Sequence, residues 1–117
     1  MVNISAARLD VIFSALSDST RRTMLRRLSG GEMSVMELAA PFAMSKPAIT
    51  KHLKVLEKAG LLRRQIVGRV HHCRLVAKPL GEAAEWMSFY EKFWNTQFDA
   101  LEQYFTRSAR QKGKKNA

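Results

Sequence analysis

Residues 34–60 read SVMELAAPFAMSKPAITKHLKVLEKAG, and the punctuation of this stretch constrains the fold more than any other part of the chain. Ser34 followed by Glu37 has capping-box spacing: the hydroxyl accepts from one orphan backbone N–H and the carboxylate reaches back to another. Pro41 cannot donate a helical hydrogen bond, so the helix that begins here is short or kinked at that point. The residues AMS leave room for a tight turn. Ser45 is a natural N-cap, Pro47 is tolerated in a first turn, and Gly60 can cap a helix that runs to about Lys58. Two short helices joined by a three-residue turn make a helix-turn-helix.

The second of these helices has two distinct faces. Ile49, Leu53 and Leu56 are spaced four and three apart and form one inward stripe. Pro47, Lys51, Lys54 and Lys58 follow the same rhythm on the opposite side, with Lys46 and Thr50 beside them. A cationic face with small or hydrogen-bonding groups near its N-terminus suits a helix that enters the major groove end-on. Ala48 and Thr50 permit close approach and carry methyls for thymine. Lys46 or Lys51 can donate to guanine O6 or N7, while Ser45 and Lys54 are placed for phosphate. Lysine-rich solvated faces are common; the capped helix and tight turn before this one, and the basic segment after it, argue for DNA reading.

That segment, LLRRQIVGRVHHCRLV, sets two runs rich in Ile, Val and Leu on either side of Gly68 and Arg69. It predicts a β-hairpin with Gly68 in the turn. A glycine tip lets the backbone approach a duplex, and Arg69 beside it can enter a narrow minor groove. Arg63, Arg64 and Arg74 flank the tip, so the hairpin reads as a wing, with Arg64 among its candidate DNA contacts.

Three more helices complete the reading. The first spans about Ser5 to Leu16, with Leu9, Ile12, Phe13 and Leu16 at helical spacing. The next starts after Asp18 as N-cap and turns Met24, Leu25 and Leu28 inward, with Arg21, Arg22, Arg26 and Arg27 on its other side; Gly30 or Gly31 then ends it. The last runs from about Pro79 to Phe105. Ala83, Met87, Tyr90, Trp94, Phe98, Leu101 and Phe105 make a seam along it, and Trp86, Phe89, Phe93, Ala100 and Tyr104 make a second stripe. One helix on one small core needs only one stripe. The surplus points to a partner subunit, with Leu9, Ile12, Phe13, Trp86, Tyr90, Phe93, Trp94, Phe98, Leu101 and Phe105 as interface candidates. A small-ligand pocket at that interface is the other use of the aromatics.

Charge supports the same division. The formal net charge is +10. From Lys46 to Arg74 there are eight Lys or Arg and one acid, Glu57, whereas from Leu80 to Phe105 five acids face only Lys92. The middle of the chain is therefore the part that meets a polyanion. No apolar run is long enough to span a membrane, and MVNISAARLD lacks the basic leader and apolar core of a secretion signal. One cysteine makes no internal disulfide. A cytoplasmic, nucleoid-associated protein without membrane contact is expected. There is no paired-carboxylate constellation, no nucleophile with a base and no phosphate-binding glycine loop, so no enzyme and no cofactor are expected. Residues 1–106 read as one DNA-binding and dimerisation domain, and 107–117 as a basic disordered tail.

The stretches DSTRRTMLRRL, ELAAPFAMSKPAITKHLKVLEKAGLL and GRVHHCRL together closely resemble the ArsR/SmtB family of bacterial winged helix-turn-helix repressors. The resemblance spans about residues 5 to 105 and is nearest the branch without metal-binding cysteines. It implies a mostly α fold with a small β-hairpin, in the order α-α-α-α-β-β-α. It implies a homodimer through the first and last helices that represses its own or a neighbouring operon from a palindromic operator. It supports Ser45, Pro47, Ala48, Thr50, Lys51 and His52 as DNA-contacting positions, with Arg69 in the wing. A sequence-independent architectural binder is the alternative.

VHHC, residues 70–73, carries the types of side chain that ligate zinc. Metal-sensing relatives carry thiolates in the third helix, where this chain has Ser34 and Met36, or carboxylate and histidine ligands on the last helix, which here has no histidine. On a strand, His71 and Cys73 share a face while His72 points away, and two ligands do not make a site. No metal site is expected, Cys73 reads as a small buried residue, and any effector is unknown.

Overall fold

The computed structural model describes residues 4–115. The elements follow in the order α1 (Ala6–Leu16), α2 (Ser19–Leu28), β1 (Met33–Ser34), α3 (Val35–Ala39), α4 (Lys46–Lys58), β2 (Leu62–Val67), β3 (Val70–Leu75) and α5 (Lys78–Lys115). They form two compact units, one ending at Ala84 and the other beginning at Glu85.

In the first unit local chemistry sets the helix ends. Ser5, Asp18, Ser34 and Ser45 each accept a hydrogen bond from the backbone N–H three residues on, and Ser34 with Glu37 completes the reciprocal capping box. A cap of this kind contributes about 1 kcal/mol. α3 stops at Ala39, ahead of Pro41. α4 closes with the Gly60 N–H on the Glu57 carbonyl at 2.9 Å and the Leu61 N–H on the Leu56 carbonyl at 3.0 Å. This is a Schellman motif, and Gly60 takes the left-handed φ of +74° that it requires.

β2 and β3 form the expected hairpin, with Gly68 at φ +64° in its two-residue turn. The sheet has three strands, however, in the order β1-β3-β2. Met33 and Ser34 pair with Cys73 and His72. Two residues carry no periodicity, so β1 exists only because β3 lies beside it.

The core joins α1, α2, α3, α4 and the sheet: Ala15, Met24, Leu25, Leu28, Leu38, Ile49, Leu53, Leu56, Leu61, Leu62 and Cys73 are buried in one cluster. The start of α5 belongs to this unit. There Arg8 grips Glu82 through two hydrogen bonds of 2.8 Å, from Nε to Oε2 and from Nη2 to Oε1. The hydrogen bond raises the Arg8 guanidinium and lowers the Glu82 carboxyl from their ordinary values.

The second unit is the remainder of α5. The sequence places the end of this helix near Phe105 and a tail beyond it; the helix continues to Lys115. Residues 107–115 are mainly Arg, Ser, Ala, Gln and Lys with one Gly, and nothing among them stops a helix abruptly. Asn116 and Ala117, the end of the expected tail, lie outside the described residues. Trp86, Phe89, Tyr90, Phe93, Trp94, Phe98, Leu101, Tyr104 and Phe105 are all exposed. Phe89 meets Tyr90 edge-on, with ring centroids 5.0 Å apart. Among the described residues no helix is long and apolar enough to cross a membrane.

Candidate nucleic-acid interface

Ile49, Leu53 and Leu56 bury one side of α4, so its other side has to face out. Lys46, Pro47, Thr50, Lys51, Lys54 and Lys58 are exposed there and line one open concave face with half-buried Val55. Among the described residues none of these four lysines has a carboxylate partner. An unneutralised row of ammonium groups on a helix narrow enough for the major groove can meet both phosphates and base edges. The Ser45 hydroxyl accepts from the Ala48 N–H at 3.3 Å, which leaves its own proton to donate outward. Ala48 is half-buried and stands at the edge of the face.

The wing adds Gly68 and Arg69, both exposed at its tip, with Ile66, Val67 and Val70 exposed beside them. In the hairpin register Arg63 lies directly opposite Arg74, both exposed, so one face of the sheet carries two facing guanidinium groups. A cleft between the wing and the starts of α3 and α4 is lined by Val35, Met36, Lys46, Arg69 and His71 among others. The apolar part of that cleft has no signature in the sequence, because Met36 and Val70 come to line one cleft only when β1 pairs with β3.

Two expected contacts are placed differently from the rest. Arg64 is half-buried and paired with Glu57 near the end of α4, so its charge is already neutralised within the fold. His52 is half-buried on the flank of α4, with its Nδ1 3.2 Å from Arg21 Nη1, and does not stand in the lysine row. Of the candidate interface residues on α1, Ile12 and Leu9 are already buried within the chain, while Phe13 remains partly exposed.

Comparison with known proteins bears on this geometry. Residues 16–65 match the family profile described as "Helix-turn-helix domain". The transcriptional repressor SdpR of Bacillus subtilis (strain 168) is 36% identical over 76 residues, covering 65% of this chain and 84% of that protein. A crystal structure of an ArsR-family transcriptional regulator superposes with a TM-score of 0.75 at 37% identity, covering 80% of this chain and 97% of the other. The chain belongs to the ArsR/SmtB family of DNA-binding transcriptional regulators. A solution structure from Mycobacterium bovis, described as a homodimeric winged helix-turn-helix DNA-binding domain, shares the fold at a TM-score of 0.57 and 18% identity, over 86% of this chain and 95% of that one.

Within this ArsR-family chain the VHHC residues diverge. Cys73 has no exposed surface and belongs to the core, and burial pushes its thiol above the ordinary value. His71 is half-buried, and its Nδ1 has no hydrogen-bond partner among the described residues. His72 Nδ1 lies 3.7 Å from Glu32 Oε1, on the other face of the strand. Among the described residues no three or more His, Cys, Asp or Glu side chains come together as a metal site.

The α2 arginines have work inside the fold that the sequence did not disclose. Arg21 Nε and Nη2 donate to the Ala15 and Ser14 carbonyls at 2.7 and 3.0 Å, and Arg22 Nη1 donates to the Leu16 carbonyl at 2.7 Å. These are last-turn carbonyls of α1, where intrahelical partners run out; that of Ser14 also accepts from the Ser17 N–H and hydroxyl. Arg27 Nη2 donates to the Glu37 carbonyl at 3.1 Å. A basic helix face is thus partly a set of carbonyl clamps.

Proposed function

We propose that this chain is a dimeric repressor that reads a palindromic operator of its own or a neighbouring operon, and that metal is not its trigger. The observation that carries the reading is the outward face of α4, where Lys46, Lys51, Lys54 and Lys58 stand exposed beside Pro47 and Thr50 and, among the described residues, have no carboxylate partner. Lys46, Thr50 and Lys51 are assigned to base edges, with Ala48 at the margin, and Ser45, Lys54 and the wing residues Gly68 and Arg69 to phosphate or minor groove. Dimerisation is assigned to the exposed aromatic face of α5 with Phe13 of α1. Its support is the size of that face and the homodimeric state described for the Mycobacterium bovis neighbour. Residues 1–106 serve as the DNA-binding and dimerisation domain. The basic stretch beyond adds sequence-independent attraction to any duplex, and the protein works on the nucleoid in the cytoplasm. Ser34 and Met36 in place of third-helix thiolates, and a thiol at Cys73 enclosed by core residues, support a regulator that does not sense metal.

The test is selection of bound fragments from random duplex DNA at physiological salt with metals chelated. A palindrome with half-sites about one helical turn apart is expected. Tight binding without enrichment replaces this reading with a sequence-independent binder, and enrichment that depends on restored zinc replaces the metal-independent trigger.

A further inference from the structure

We propose that His52 is a positioning residue: through Arg21 it fixes the recognition helix α4 to the end of α1, and it does not itself touch the duplex. The inference rests on α4 being the reading helix, as proposed above. The guanidinium of Arg21 uses three nitrogens on two other elements. Nε donates to the Ala15 carbonyl at 2.7 Å, Nη2 to the Ser14 carbonyl at 3.0 Å, and Nη1 reaches His52 Nδ1 at 3.2 Å. The backbone N–H of Arg21 is itself held by the Asp18 carboxylate at 3.1 Å, so the arginine springs from a capped and rigid helix start. Asp18 Oδ2 lies 3.9 Å from His52 Nδ1, too far for a hydrogen bond, and its charge attracts the Arg21 guanidinium that stands between the two elements.

The chemistry of the two partners settles the direction of the bond. An arginine has donors only, so His52 Nδ1 is the acceptor and the ring proton sits on Nε2. The imidazole side chain is 18% exposed, on the flank of α4 away from the lysine row. Among the described residues the Arg21–His52 contact is the one side-chain hydrogen bond that joins α4 to α1 or α2. α4 is otherwise held to α1 and α2 by apolar contacts, which resist separation but set rotation and slide only loosely. A reading helix has to be placed to within about 0.5 Å to meet base edges. The planar, three-way guanidinium supplies that directional constraint, and it ties the reading helix to the helix whose other end grips Glu82 through Arg8.

The experiment uses the full chain, the selected operator duplex and a scrambled duplex of equal length. His52→Leu keeps the bulk and loses the acceptor. His52→Asn puts an oxygen where Nδ1 was. His52→Gln puts its polar atoms where Nε2 was. His52→Leu is expected to lose roughly tenfold in operator affinity, about the worth of one charge-assisted hydrogen bond, with binding to the scrambled duplex unchanged. His52→Asn is expected to recover most of that loss and His52→Gln little of it. Equal loss in the Leu and Asn variants with recovery in Gln means that Nε2 meets DNA directly, which overturns the proposal; so does wild-type affinity in His52→Leu. A urea-unfolding cycle over Arg21→Lys, His52→Leu and the double variant tests the clamp without DNA. The double variant's midpoint shift should be smaller than the sum of the single shifts, and strict additivity overturns the clamp even if no operator preference is found. Failure of the DNA reading alone shows as a wild-type protein that does not distinguish operator from scrambled duplex while the cycle remains non-additive.

Discussion

The Cys73 side chain lies opposite Met33 across the β1–β3 pair and has no exposed surface. Burial raises its thiol, so the reactive thiolate is suppressed twice, by access and by ionisation. A disulfide reagent should therefore label native protein only as fast as the first unit opens, and rapid stoichiometric labelling at neutral pH would contradict the buried placement. Two carboxyl groups are held below their ordinary values by the fold. A backbone hydrogen bond from Arg21 holds Asp18 below its ordinary value, and the side-chain bond from Arg8 does the same for Glu82. Both are more acidic in the fold than in the unfolded chain, so what they contribute is fully present above the ordinary carboxylate range and is lost as pH falls through the lowered values. Urea midpoints should decline as pH falls from 5 towards 3, less steeply in a variant carrying Asp18→Asn and Glu82→Gln. Asp18→Ala should cost about 1 kcal/mol at neutral pH through loss of the cap. Three of the four caps, Asp18, Ser34 and Ser45, were legible in the sequence because a cap needs nothing beyond three residues. His52 was not: its partner is 31 residues away, and no local pattern separates a reader from a strut.

At the scale of elements, α4 and the wing each carry a testable asymmetry. Leu53 is buried to 1% exposure at the centre of the core, and Leu53→Ala should destabilise by about 2–5 kcal/mol in urea unfolding. Lys51→Ala, on the opposite face, should leave stability alone. It should cost about 1–3 kcal/mol against the preferred duplex and relax discrimination at one position, whereas Lys58→Ala should weaken all duplexes alike and lower the salt slope by about one. Loss of discrimination in the second variant and not the first would reverse the assignment of base and phosphate contacts. In the wing, Arg63 directly opposite Arg74 is a like-charge pair that weakens the hairpin. Arg74→Glu should therefore stabilise the first unit by about 0.2–1 kcal/mol, measured by urea unfolding, and reduce duplex affinity. A drop in stability would show that the pair is compensated within the fold. The two faces of α4 and the glycine turn of the wing could be read from spacing alone. The pairing of Arg63 with Arg74, the strand β1 and the enclosure of Arg64 by Glu57 depend on register between segments, which spacing does not encode.

For the whole molecule, the exposed aromatics of the second unit are the part the single chain leaves unsatisfied. Trp94 and Phe98 are 43% and 67% exposed on a helix with nine large exposed apolar residues between Trp86 and Phe105, Met87 aside. A monomer that keeps this much apolar surface in water is disfavoured. Sedimentation should show a dimer at micromolar concentration, and Trp94→Glu with Phe98→Glu should yield a monomer whose first unit unfolds normally. That monomer should bind a palindromic duplex about a hundredfold or more weakly, since the second half-site no longer adds to the first. An unchanged sedimentation coefficient would move the interface elsewhere. Leu9 and Ile12, read from the sequence as interface residues, are buried within one chain, because a helical stripe looks the same whether its own chain or a partner covers it.

The amino-acid sequence by itself determined the helix boundaries up to α4, the two-faced recognition helix, the hairpin and the cationic middle of the chain. Each follows from contacts or periodicities within a few residues, where backbone chemistry leaves little choice. Only the tertiary structure decided which cations are free and which are spent: the α4 lysines stand clear, while Arg21, Arg22, Arg27 and Arg64 are turned onto carbonyls or a carboxylate. Charge is a property of a residue, but its availability is a property of the neighbours, and those neighbours come from segments that only the folded chain brings together.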